Sequence, residues 1–144
     1  VGQTIAFFAT QFADFDTEKA YEVLRFMKLN PDQKVKHLSK GNRGRLKIVL
    51  TLARKAPVIL MDEPLSGLDP MVRDSIVKGL ISFIDMEKQT VVITTHEVSE
   101  IEPLLDEVVA IRAGRIIKTA NVEDLRKEEN SSIVEWMKRA YEQA

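Results

Sequence analysis

The amino-acid sequence predicts a layered α/β fold, and three observations carry that prediction. Two short, continuously apolar runs, 58–61 and 91–93, have the pattern of parallel strands buried on both faces. Segments with an apolar residue every three or four positions flank each run, as amphipathic helices do. Both runs stop at polar residues, Asp62-Glu63 after the first and Thr94-Thr95-His96 after the second, and ligands in such sheets meet the carboxyl ends of strands. Strands alternating with helices give α/β layering.

Residues 1–29 read as helical and aromatic. Ile5, Phe7, Phe8 and Phe12 come first, then Tyr21, Leu24 and Met27 behind a cap at Asp16 or Thr17, and Asn30-Pro31 closes the second helix. A basic loop leads to Leu38-Ser39-Lys40-Gly41-Asn42. Leu46, Ile48, Val49, Leu50, Leu52 and Ala53 then form a largely buried helix that stops before Pro57. After the first strand and a turn through Ser66-Gly67, Asp69-Pro70 opens a helix with a cap and a proline at its first position. That helix is expected to run to about Met86, with Val72, Ile76, Leu80, Phe83 and Ile84 inward. Beyond the second strand come a short acidic helix and a hairpin of 108–111 and 115–117 turned by Ala113-Gly114. A short helix over 122–128 follows, and a last helix opens on the capping box of Ser132 and Glu135.

The 144 residues suit one domain or a large piece of one. Hydrophobic residues at 44% and charged residues at 30% mark a folded chain rather than a disordered one. No apolar run approaches the length of a membrane helix. The absence of cysteine excludes a disulfide scaffold and thiolate chemistry, and two histidines are too few for a His-rich metal site. The net charge of −1 conceals an asymmetry: Lys34 to Lys55 holds eight Lys/Arg and no acid, whereas Gln89 to Ile111 holds five acids and no Lys/Arg. The basic stretch lacks the interleaved aromatics of a nucleic-acid footprint, so no nucleic-acid partner is expected.

An apolar strand delivering two adjacent carboxylates suits a metal–phosphate site. Asp62 can hold Mg²⁺ through water and Glu63 can orient an attacking water, although both read equally well as loop acids or caps. Ser39, Lys40, Gly41 and Asn42 open a helix whose first N–H groups can receive an anion, and the same residues also read as an ordinary cap beside a solvated basic face. His96 taken alone reads as a structural or surface histidine.

In combination and in this order, Leu38-Ser39-Lys40-Gly41-Asn42, residues 58–64, Ser66-Gly67-Leu68-Asp69 and Thr95-His96 resemble the nucleotide-binding domain of ABC ATPases. The resemblance implies the C-terminal part of a P-loop NTPase (RecA-like) core. It places a helical signature subdomain at 1–41, the core at 42–130 and a C-terminal helix at 131–144. It further implies that Asp62 holds Mg²⁺, that Glu63 is the catalytic base and that His96 contacts the γ-phosphate. Ser39, Lys40, Gly41 and Asn42 would face ATP bound on a second ATP-binding subunit, identical or not, and Asp69 would cross the dimer interface. The implied protein is an ATP-hydrolysing subunit docked on a transmembrane transporter subunit at the cytoplasmic face of a membrane, in a bacterial setting. A soluble ABC-class ATPase acting on DNA or ribosomes is the alternative, and a non-hydrolysing structural partner is a third reading.

Two departures qualify the resemblance. No G-x-x-x-x-G-K-[ST] occurs, nor any Gly-Lys pair, so the expectation is a C-terminal part of a longer domain that hydrolyses no ATP by itself. Gln3 is accordingly not taken for the Gln-loop residue. The family's L-S-G-G-Q reads here with Lys40 for glycine and Asn42 for glutamine, and Gly44 adds about 1 kcal/mol of unfavourable helix propensity relative to alanine. Slower hydrolysis, or a heterodimer with one weakened site, is expected from the altered loop, and Lys40→Gly in the intact protein is expected to raise turnover.

Overall fold

A computed structural model describes residues 1–128 and 132–143, which fall into two compact units, Val1–His96 and Glu97–Ala144. The boundary expected between 130 and 131 lies outside the described residues. Among the described residues no helix is long and apolar enough to cross a membrane.

In the first unit, helices α1 (Gly2–Gln11), α2 (Thr17–Phe26), α3 (Lys40–Leu52) and α4 (Pro70–Phe83) accompany strands β1 (Val58–Asp62) and β2 (Thr90–Thr94). Three of the four helix starts are set by one side chain each. Asp16 accepts from Lys19 N, Ser39 from Asn42 N and Asp69 from Val72 N, satisfying N–H groups that have no partner inside the helix. α2 packs on α3 and α4, and α3 on α4, around a core that includes Leu24, Met27, Val49, Leu52, Ile76 and Leu80. Two glycines permit the close approaches. A Cβ at Gly79 would collide with Met27, and one at Gly44 would lie 3.2 Å from Leu68 Cδ1. Gly44 thus exchanges helix propensity for contact with the 66–69 turn. α4 ends at Phe83, short of Met86, because Asp85 turns the chain: Gln89 N donates to its carbonyl, and its carboxylate pairs with Lys88 at 3.1 Å.

β1 and β2 are parallel and in register, Ile59 opposite Val91, Leu60 opposite Val92 and Asp62 opposite Thr94. Their entry ends are held by Gln89, whose amide donates to the carbonyls of Arg54 and Ala56. Burial on both faces was expected, and the structure corrects it. Ile59 and Met61 are buried, whereas Leu60 is 75% exposed and its partner Val92 is 49% exposed. Among the described residues the two strands pair only with each other, and just one face of the pair is covered.

The second unit holds a short α5 (Val98–Ile101), strands β3 (Glu107–Arg112) and β4 (Arg115–Asn121), then α6 (Val122–Glu128) and α7 (Ile133–Glu142). The hairpin turn falls on Ala113 and Gly114, both at positive φ (49° and 74°), the backbone that matches the twist of a two-residue hairpin. Val108, Ala110, Val122, Leu125, Ile133, Trp136 and Ala140 form the unit's core. The capping box of α7 is present in full, with Glu135 N donating to Ser132 Oγ and Ser132 N to Glu135 Oε2. Tyr141 Oη ties the end of α7 to the carbonyl of Ile111 at 2.9 Å.

Candidate functional site

At the carboxyl end of β1, the parallel register sets Asp62 beside Thr94, whose hydroxyl donates to Asp62 Oδ1. One residue on, Glu63 takes φ 45°, a left-handed conformation that costs a side-chain-bearing residue about 1–2 kcal/mol. Thr94 holds it there: Glu63 N donates to the Thr94 carbonyl at 2.9 Å and contacts its hydroxyl at 3.2 Å. The Glu63 side chain meets His96, with Nδ1 to Oε1 at 2.8 Å. A carboxylate acceptor there defines Nδ1 as the protonated nitrogen, and the contact is an ion pair whenever the imidazole is charged. The other oxygen, Glu63 Oε2, is buried without a hydrogen-bond partner. Buried acceptors are ordinarily satisfied, so this one has capacity for a donor from outside the chain.

A second group is built from two helix starts. Ser39 caps α3, and Lys40, Gly41 and Asn42 form its first turn rather than a loop before it. That turn contains no acid, and the N–H groups of Lys40 and Gly41 have no acceptor within the helix, so the terminus favours an anion. Asn42 Oδ1 accepts from Arg45 Nη1 at 3.3 Å. The missing Cβ of Gly41 lets α3 approach α4: a methyl there would lie 2.9 Å from Val72 Cγ2 and 3.8 Å from Asp69 Oδ2. Asp69 caps its own helix, at 3.0 Å from Val72 N. Between β1 and α4, Leu65 is fully buried and Gly67 takes φ 64°.

Asp62, Glu63 and His96 therefore come together, and Ser39, Lys40, Gly41 and Asn42 gather beside Asp69. Among the described residues no hydrogen bond or ion pair joins the two groups. Sequence reasoning gave Thr94 no role, although it fixes both Asp62 and Glu63. The signal available was a hydroxyl residue closing an apolar strand beside one that closes in acid. Among the described residues no cluster of three or more His, Cys, Asp or Glu forms a metal cage.

Residues 4–66 match the family described as ABC transporter. The chain is 32% identical over 121 residues to the choline transport ATP-binding protein of Bacillus subtilis, covering 82% of this chain and 32% of that protein. It is 33% identical over 116 residues to the energy-coupling factor transporter ATP-binding protein of Oenococcus oeni, covering 78% and 40%. A solved ATP-binding subunit of an ABC transporter superposes with a TM-score of 0.71 at 22% identity, covering 86% of this chain and 53% of that one. A dimeric ATP-binding cassette in a post-hydrolysis state, bound to ADP and Pi, gives 0.62 at 25% identity, covering 74% and 47%. The fold is thus that of a P-loop NTPase core, of which the chain supplies a part. Within that class, the chain belongs to the ABC transporter ATPase family. It spans about one third of the length of the curated relatives it matches first.

Proposed function

We propose that the chain is part of the ATP-hydrolysing subunit that powers an ABC transporter. The observation that carries this reading is the Glu63–His96 contact beside the Asp62–Thr94 pair, at the carboxyl ends of two parallel strands in a member of this family. Transport ATP-binding proteins among its relatives favour transport over action on DNA or ribosomes.

The roles follow from the groups available. Asp62, whose Oδ1 accepts from Thr94, would hold Mg²⁺, which supplies charge neutralisation at the phosphates. Glu63 acts as the base: Oε2 is an unsatisfied acceptor that can take a hydrogen bond from water, and the strained backbone fixes its position. His96 holds Glu63 through Nδ1 and leaves Nε2 available, on a largely exposed ring, to contact a γ-phosphate. The first turn of α3, with Ser39, Lys40, Gly41 and Asn42, offers its N–H groups to the phosphates of ATP carried by a second subunit. The 66–69 turn, with Asp69, lies at that interface. Donors placed in advance stabilise charge that develops in the transition state, once the two subunits have closed on the nucleotide. No phosphate loop occurs in the 144 residues, so the activity belongs to a protein that joins this segment to one. A transmembrane subunit is the proposed second partner, with the ATPase peripheral on the cytoplasmic face.

The test is Mg-ATP hydrolysis by the intact ATPase and its Glu63→Gln variant. The amide is close to isosteric and cannot serve as a base, so turnover should fall by about 10²–10⁴-fold. A variant that retains the parent rate would overturn the assignment.

A further inference from the structure

Resting on the reading of 38–42 and 66–69 as phosphate-facing turns, we infer that Lys40 is a positioning residue, a strap laid from the first turn of α3 across the 66–69 turn. A residue at the start of a helix ordinarily sends a lysine tip into water. Here the side chain stays exposed but lies with its ammonium over Gly67, which is exposed as well: a Cβ built on that glycine would collide with Lys40 Nζ and lie 3.3 Å from its Cε. Gly67 is at φ 64°, so glycine serves twice, by taking the left-handed turn and by leaving its face open to the lysine.

The strap is one of three ties on the same turn. Leu68 enters the space left by Gly44, and Arg73 Nε donates to the Leu68 carbonyl at 2.9 Å. Within the turn the amides make only long bonds, Ser66 N to the Glu63 carbonyl at 3.2 Å and Leu68 N to the Leu65 carbonyl at 3.3 Å. The segment therefore depends on what lies against it. Two of its ties, Lys40 and Gly44, come from α3, so the turn that caps α3 and the turn after Glu63 move as one piece. With the family's glycine at position 40, nothing would rest on Gly67. Lys40 thus restrains a turn that must adjust when a second subunit closes, and it slows turnover without being a phosphate ligand itself.

Amide hydrogen exchange on this chain tests the strap without ATP. Lys40→Ala removes the side chain without placing another glycine in the helix, and it should speed exchange at Ser66 and Leu68 by about fivefold, the coupling of one side-chain contact. Lys40→Arg should restore the slow rates. Exchange at Ser66 and Leu68 unchanged in Lys40→Ala overturns the strap. In the intact ATPase, Lys40→Ala should raise kcat by a similar factor at constant KM for ATP. A change confined to KM would make Lys40 a phosphate ligand and overturn its positioning role. A parent protein that hydrolyses no ATP would defeat the proposed function while leaving the exchange result to stand.

Discussion

The two sheets among the described residues are built on opposite principles. β3 and β4 are joined by two residues, carry no chemistry at their ends and lay one face on the core formed with α6 and α7 within their own unit. β1 and β2 are parallel, with Glu63 bonded to Thr94 across 31 positions of chain, and their carboxyl ends carry Asp62, Glu63 and His96. The hairpin needs only its local sequence. The parallel pair needs a helical crossover, α4, and it places chemistry where two distant segments meet. Local pairing thus produces an element whose job is burial, and non-local pairing produces one whose end is the candidate site.

Core truncation in the second unit should give the largest stability effect. Trp136 is the one tryptophan of the sequence and is fully buried, so its emission follows the unit from Glu97 onward. Ile133→Ala, beside it in the same core, should lower the stability read by that emission in urea by about 2–5 kcal/mol. A cost below 1 kcal/mol would show that the hairpin and α7 do not share a close-packed core. Gly114→Ala should cost about 1–2 kcal/mol in the same titration: its φ is 74° and nothing lies within 4 Å of an added methyl, so the loss is conformational alone.

The parallel pair should respond differently on its open face. Leu60→Ser, at 75% exposure, should change the stability of this chain by no more than about 0.5 kcal/mol. Ile59→Ala, one residue earlier and buried, should cost several times as much, about 2–4 kcal/mol. Equal costs at the two positions would restore the expectation of a strand covered on both faces.

What could be read from the sequence divides along the same line. The caps at Asp16, Ser39, Asp69 and Ser132 and the Ala113-Gly114 turn are decided within four residues, and the structure has all of them. The two acids and the histidine were legible as strand-end polar groups and through their resemblance to a known motif order. Their mutual contact depends on the register of β1 against β2, which no local pattern encodes. Thr94 was overlooked for that reason, since its hydroxyl matters only because Asp62 and Glu63 lie against it. The exposed face of Leu60 and Val92 was misread because a continuous apolar run reports what a strand tolerates on its faces, not what covers them here. Lys40 over Gly67 was invisible too, because it joins positions 27 apart through a turn whose shape only the fold defines.

The smallest expected effect concerns acid, and it applies to both units. Asp14 is held below its ordinary pKa of 3.8 chiefly by the hydrogen bond from Arg54, whose Nε lies 2.9 Å from each carboxylate oxygen and whose guanidinium stacks 3.9 Å from the Phe12 ring. Asp16 is lowered chiefly by the backbone N–H of Lys19, and in the second unit Glu135 by that of Ser132. A carboxyl whose folded pKa lies below its unfolded one contributes stability that is present above the unfolded value and is lost as pH falls through the folded one. Urea midpoints should therefore hold level down to about pH 4 and decline below it. Asp14→Asn should lower the midpoint at neutral pH and flatten the decline measured by circular dichroism, while leaving the acid response of Trp136 emission, to which Glu123 and Glu135 contribute, as it was. An identical decline in the parent and Asp14→Asn would mean that Arg54 is held by the Phe12 ring alone. Asp16 and Asp85 in the first unit, and Glu123 and Glu135 in the second, would then carry the acid response.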